Sequence, residues 1–256
     1  MTQDLSPRPG SAPARRRVAA QARLELRTQL RNGEQLLLTV FIPVGLLLFL
    51  TWAPLGDLGD GPRVAFVAPG IVALAVMSTA FTGLAIQTGF ERRYGVLKRL
   101  GSTPLSAGNL LAAKTVAVLA VEAAQVVLIT VIAVALGWRP SADAGGALVL
   151  VLVGTVAFVA LGLLLAGTLR AEATLAVANL VYLVLLLLGG IVVPLSVFPE
   201  QVQRLLELLP SAALADGLRE ALGSGQPPGW PVSQLAVLAV WAVCAGVLAA
   251  RTFRWE

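Results

Sequence analysis

Residues 147–169 read ALVLVLVGTVAFVALGLLLAGTL, twenty-three consecutive residues without a charged side chain. As a helix this run would rise ~34 Å at 1.5 Å per residue, enough to cross a hydrocarbon core of ~30 Å. No water is present there to bond free backbone N–H and C=O groups, so a spanning segment of this kind has to be helical. Five further runs of comparable length surround it: Leu36 to Trp52, Ala68 to Thr88, Leu110 to Leu136, Thr174 to Pro194 and Val232 to Ala250. The first run begins after an amphipathic segment and is followed by five others, so it reads as a retained span rather than a cleaved signal.

The rest of the composition agrees. The 256 residues are 57% hydrophobic and 13% charged, too apolar for a soluble domain that must wet its whole surface. Outside the runs no stretch is long enough to build a separate soluble core. The sequence therefore predicts one transmembrane domain over residues 15–256. Residues 1–14, with Pro7, Pro9 and Pro13 among Ser and Gly, are expected to form a disordered cytoplasmic tail. The expected fold class is all-α: a polytopic membrane protein with six transmembrane helices, an N-terminal interfacial amphipathic helix, a cytoplasmic helix between spans two and three, and two short outer-face helices between spans five and six.

Charge orients the spans. With the N-terminus inside, fifteen of the nineteen Lys and Arg residues fall in inner segments and only Arg63, Arg139, Arg204 and Arg219 fall outside. The positive-inside rule then places both termini in the cytoplasm. The formal charge of +5 sits beside the spans, which suits anionic lipid headgroups and gives no nucleic-acid-binding module. There is no His, and the single Cys is Cys244. That excludes disulfides, Cys/His zinc sites and His-based triads within one chain. No phosphate loop, HExxH or GxSxG occurs, so neither nucleotide binding nor the common hydrolytic chemistries have a local signature.

Three connecting segments carry helical periodicity. From Arg15 to Asn32, Val18, Ala22, Leu26 and Leu30 recur every four residues, with Arg23, Arg27 and Arg31 about 100° away, the pattern of a helix lying on a membrane surface. Between spans five and six, Val202, Leu205, Leu206 and Leu209 have i, i+3, i+4, i+7 spacing up to Pro210. Beyond it Ser211 can cap a second short helix carrying Leu214, Leu218 and Leu222. Between spans two and three, Phe90, Tyr94, Leu97 and Leu100 share one helical face, and Glu91, Arg92, Arg93, Lys98 and Arg99 cover the remainder. Thr103-Pro104 stops that helix, and Ser106 can cap the next. The basic residues alone would suit a plain inner connector; the aromatic and aliphatic face adds a docking surface for a soluble partner.

Polar residues inside the spans are candidate functional positions. Glu122 lies near the middle of the third span with Gln125 on the same face, and Asn179 and Tyr182 lie in the fifth. For Glu122 two roles stay open, an interhelical hydrogen bond or a place in a substrate or proton path. Lys114, near an inner span end, can snorkel to the interface and needs no further role.

These landmarks together resemble the integral permeases of type-2 ABC exporters, which include drug, lipid and polysaccharide exporters. Ala68-Pro69-Gly70-Ile71 is similar to that family's Pro-Gly step into the second span. Glu91-Arg92-Arg93-Tyr94-Gly95-Val96-Leu97-Lys98-Arg99-Leu100, followed by Thr103-Pro104-Leu105-Ser106 and Lys114, resembles its Glu-basic-x-x-Gly-x-Leu and Thr-Pro-Leu loop. Gly189-Gly190, Pro194, Pro199, Pro210 and Leu218-Arg219 match its later landmarks, and the likeness runs from about residue 15 onward.

The resemblance implies that Phe90, Glu91, Arg92, Arg93, Tyr94, Gly95, Leu97, Lys98 and Arg99 couple to a cytosolic ATPase, with the amphipathic helix near them. It implies two ATPase subunits and a second permease, identical or different, in a bacterial cell membrane. No cofactor is expected on this chain; ATP and magnesium belong to the partner. Two other classes stay open, an ion-coupled secondary transporter using Glu122 and a membrane-embedded lipid-modifying enzyme. The orientation is testable by cysteine labelling in intact cells after replacement of Cys244: cysteines at Asp143 and Gln226 are expected to react from outside and one at Ser102 to be protected. Labelling at Ser102 from outside would overturn the topology.

Overall fold

The computed structural model describes residues 11–53, 62–140, 144–223 and 230–252. Residues 1–10 of the expected tail and the positions Asp143 and Gln226 lie outside them. Every regular element among the described residues is helical: α1 (Ala14–Arg31), α2 (Gly33–Trp52), α3 (Arg63–Val76), a π-helical segment (Met77–Gly83), α4 (Leu84–Arg93), α5 (Val96–Gly101), α6 (Ala107–Ala135), α7 (Ala144–Thr168), α8 (Ala171–Leu188), a 3₁₀ turn (Leu195–Val197), α9 (Glu200–Leu206), α10 (Pro210–Leu222) and α11 (Val232–Thr252).

Five helical stretches among the described residues are long and apolar enough to cross a membrane: Arg63–Arg93, Gly108–Ala135, Ala144–Thr168, Ala171–Leu188 and Val232–Thr252. Thr39–Trp52, within α2, is a shorter apolar helix. The stretch Arg63–Arg93 is continuous through the π segment and extends beyond the expected Ala68 to Thr88 at both ends. Its centre is the core of the molecule, with Ala68, Ile71 and Ala73 through Met77 wholly buried.

Small residues set how closely the helices approach. A Cβ on Gly162 of α7 would stand 2.9 Å from the Phe81 carbonyl oxygen and 3.2 Å from that of Ala80. The π segment therefore presses its backbone onto α7, and the rings of Phe81 and Phe158 meet beside it at 6.5 Å between centroids. Such close contact through Gly and Ala is how helices associate in lipid, where apolar burial alone gives no preference for protein over acyl chains.

The two expected short helices are present as α9 and α10, between α8 and α11, with two differences from expectation. Helix α10 starts at Pro210, whose missing N–H costs nothing at a first helical position, and not after a Ser211 cap. Ser211 is buried and its hydroxyl donates to the Leu185 carbonyl, 3.2 Å away, at the end of α8. Moreover α10 does not lie on the surface: it packs against α3, α7 and α11, and Ala212, Ala213, Ala215, Gly217 and Ala221 are among its buried residues. Its Leu spacing resembled an interfacial stripe because Ala and Gly carry little weight in a hydrophobic pattern while permitting close packing.

Arg219 of α10 gathers landmarks that are far apart in the sequence. Its guanidinium lies 3.7 Å from the centroid of the Phe66 ring. It donates to the carbonyls of Phe66 and Ile191, each at 3.2 Å, and to Asp216 at 2.7 Å. Gly70 lies beneath it, where a Cβ would stand 2.7 Å from Ile191 O and 2.9 Å from the guanidinium. The Pro-Gly step, the Gly-Gly break after α8 and the Leu-Arg pair thus form one clasp joining α3, the end of α8 and α10. Burial pushes the Asp216 carboxyl above its ordinary range, and Arg219 beside it opposes that shift. Asp216→Asn is accordingly expected to be milder than Arg219→Met, which strands several buried acceptors. Gly70→Ala, which forces a backbone shift, should cost about 1–3 kcal/mol. Thermal unfolding of the purified variants checks that order.

Candidate functional site

At the end of the bundle where α1, α4 and α6 meet, one ammonium group joins three helices. Lys114 of α6 is only 1% exposed, and its Nζ lies 2.7 Å from a Glu91 oxygen and 3.2 Å from Glu25. Gln87 uses both amide hydrogens here, donating to Glu25 at 3.0 Å and to Glu91 at 2.8 Å. Gln21 donates to Glu25 at 2.9 Å, and Gln29 donates to Gln87 at 3.4 Å. One buried carboxylate, Glu25, and one half-buried, Glu91, thus share one cation, and neutral amides donate to their other acceptor positions.

This arrangement corrects two sequence readings. Lys114 does not snorkel to the interface, because two acids on other helices give it a better-satisfied place inside. On α1 the buried positions are Ala22 and Glu25, while Leu30 is 54% exposed, so the buried face is rotated toward Glu25. Neither Glu25 nor Gln87 was marked by pattern. The available signal was that Glu25 is the single acid in a helix with six Arg residues, at i+3 from Ala22.

The expected helix from Phe90 to Leu100 is interrupted. Helix α4 ends at Arg93, Gly95 adopts φ 70°, and α5 begins at Val96. A left-handed residue is nearly free for Gly and strained for most others. The break ends the shared face. Phe90 and Tyr94 stack with centroids 6.1 Å apart, Tyr94 is 68% exposed, and Leu97 is fully buried against the protein's own helices. Leu97 therefore anchors α5 where an exposed docking residue was expected. Arg92 donates to the Leu169 carbonyl between α7 and α8, and Arg93 pairs with Glu172 at the start of α8. Lys98 and Arg99 remain on the exposed side with Val96. Ser106 caps α6 by accepting from the Asn109 N–H at 3.3 Å, as its position suggested.

Within the spans, Glu122 and Gln125 face different neighbours. The Thr155 hydroxyl of α7 lies 2.5 Å from Glu122 Oε2 and 2.8 Å from the Val151 carbonyl. One hydroxyl hydrogen cannot serve both acceptors at once, so the Thr155 hydroxyl is shared between its own helix and Glu122. Gln125 accepts from Thr79 in the π segment at 2.9 Å and donates to the Thr39 carbonyl of α2 at 2.9 Å. Asn179 donates to the Leu175 carbonyl at 2.8 Å. Asn179 and Tyr182 line a lateral cavity of about 230 Å³ with Thr39, Ile42, Ser78 and Thr82. Glu122 is not among its lining residues. A π-helical segment commonly marks a functional site, and here it sets Ser78 and Thr82 on the cavity wall.

Removing one partner of a buried ion pair leaves an uncompensated charge and costs about 3–5 kcal/mol. Lys114→Met should destabilise by that order, whereas Glu25→Gln, which keeps the Lys114 to Glu91 pair, should cost less. Adding Glu91→Gln to Lys114→Met should recover part of the loss, a coupling visible in a double-mutant cycle of thermal unfolding.

Comparison with known proteins gives the family. The ABC-2 type transporter family matches residues 18–222, which takes in most of α1 and everything through α10. A Bacillus subtilis (strain 168) protein named "Putative transport permease YvfS" is 24% identical over 216 residues, covering 81% of this chain and 86% of that protein. The matched region contains the Lys114 ion cluster, the Gly95 turn and the Arg219 clasp, and the chain belongs to the ABC-2 type transporter family as a multi-pass membrane transport subunit.

Proposed function

We propose that this chain is the permease subunit of an ATP-driven exporter, moving a lipophilic or amphipathic molecule (a drug, a lipid or a lipid-linked glycan) outward across a bacterial cell membrane. In this reading α2 is the first of six spans, both termini are cytoplasmic, and residues 15–256 form one permease domain. Two cytosolic ATPase subunits, carrying ATP and magnesium, dock on two permease subunits. The chain itself performs no chemistry; nucleotide binding in the partner shifts the balance between inward-facing and outward-facing arrangements.

The observation that carries the reading is the exposed turn and helix from Tyr94 to Arg99. Its outer side presents Tyr94, Val96, Lys98 and Arg99, while buried Leu97 and the Glu91 to Lys114 pair hold its base. A short helix held rigidly at its base can pass a push from a soluble subunit into α4 and α6 without absorbing it. The transport path is assigned to the cavity holding Asn179 and Tyr182, beside the π segment at the end of which α4 begins. Glu122, turned toward Thr155, is assigned an interhelical role, which disfavours ion-coupled transport through it.

Tyr94→Ala combined with Val96→Asp should reduce co-purification with the cognate ATPase and substrate-stimulated hydrolysis by tenfold or more, since loss of an interface anchor costs about 2 kcal/mol. The permease should stay monodisperse. Leu97→Ala should instead lower the unfolding temperature, as expected for a buried leucine. Wild-type stimulation and export in the Tyr94 and Val96 double variant would make this segment a plain connector and end the coupling assignment.

A further inference from the structure

The cavity beside the π segment offers hydrogen bonds without charge. Thr39, Ser78, Thr82, Asn179 and Tyr182 supply its polar groups, and among the described residues no acidic or basic side chain lines it. Several of these groups have capacity to spare. The Thr82 hydroxyl oxygen is buried with no partner among the described residues. Asn179 uses one amide hydrogen on Leu175, which leaves its carbonyl oxygen and second hydrogen for a ligand. Ser78 donates to the Ala75 carbonyl at 3.0 Å and keeps its lone pairs. The wall therefore presents donors and acceptors together, the combination that a hydroxyl or amide group satisfies.

An ionic headgroup would fare worse at the same place. A charge drawn from water into a membrane-embedded cavity needs a countercharge close by. The one carboxylate that α6 carries at mid-span, Glu122, is engaged with Thr155 of α7 and does not reach this wall. The apolar lining residues Ile42 and Pro43 suit the hydrocarbon part of an amphipath next to its head.

We propose that this cavity is a subsite for an uncharged headgroup bearing several hydroxyl or amide groups, so that the exported amphipath is neutral at the end seated here. The inference rests on the exporter reading above and narrows its substrate class.

The test uses the full chain with Cys244 replaced by Ser and Ile42 by Cys, assembled with its ATPase in nanodiscs. Modification of that cysteine by N-ethylmaleimide is timed in the presence of two probes with the same alkyl chain, n-octyl β-D-glucoside and octyltrimethylammonium. Both are used below their micelle-forming concentrations. The glucoside is expected to slow modification saturably and the quaternary ammonium is not. Ser78→Ala with Thr82→Ala should raise the half-protecting glucoside concentration about fivefold or more, the effect of losing one or two ordinary hydrogen bonds. Equal or better protection by the ammonium probe would overturn the neutral-headgroup proposal while leaving a transport path in place. Glucoside protection unchanged in the hydroxyl-deleted variant would show partitioning without recognition and would also overturn it. If neither probe protects and a bulky maleimide on the Ile42 cysteine leaves export intact, the cavity is not on the path, and the path assignment and the neutral-headgroup proposal fail while the exporter reading stands.

Discussion

Lys114 sits where a single group decides how one end of the helical bundle is assembled. Its ammonium is out of water, and only the two carboxylates of Glu25 and Glu91 make that place tolerable. Each acid comes from a different helix, so the charge requirement of one residue brings α1, α4 and α6 to a common point. Two negative charges on one positive charge would leave an excess, and Gln21 and Gln87 disperse it by donating to the carboxylate oxygens. The base of the exposed Tyr94 turn is fixed by this cluster. A loop tied by water-exposed pairs would be held by contacts typically worth less than about 1 kcal/mol each.

The molecule uses different interactions at different depths. The end that holds Lys114 relies on an ion cluster, the middle on hydroxyl and amide contacts such as Thr79 with Gln125, and the opposite end on the guanidinium of Arg219. The dielectric setting accounts for the order. Near the ends, water and headgroups lower the cost of ionised groups that are imperfectly paired, whereas at mid-span each charge would carry its desolvation cost with little relief. Glu122, at mid-span, meets a neutral hydroxyl, that of Thr155, and no cation among the contacts of the described residues.

Irregular backbone is placed where the two candidate functional regions lie. Gly95 breaks the α4–α5 helix and sets Tyr94 outward while Leu97 turns inward. The π segment from Met77 to Gly83 sets Ser78 and Thr82 on a cavity wall while pressing Phe81 and its carbonyl onto Gly162. The break at Gly189 and Gly190 (φ 68° at Gly190) lets the chain leave α8 and brings Ile191 under Arg219. In each case a helix gives up regular bonding at a buried or supported place, where neighbouring helices restore the contacts.

What the sequence alone determined was the part that depends on one-dimensional sums: the all-helical class, the apolar runs, the Ser106 cap and the family likeness carried by Glu91 to Leu100. Length and hydropathy suffice there because the bilayer acts on each span separately. The tertiary structure decided which polar residues meet. Glu25, Gln87 and Lys114 come from three segments, and no local pattern pairs an acid in a basic surface helix with a lysine 89 positions later. It also decided that Leu97 and α10 are buried. Helical periodicity predicts a stripe but not its neighbours, and a phase break at one glycine or a row of small residues turns an apparent surface face inward.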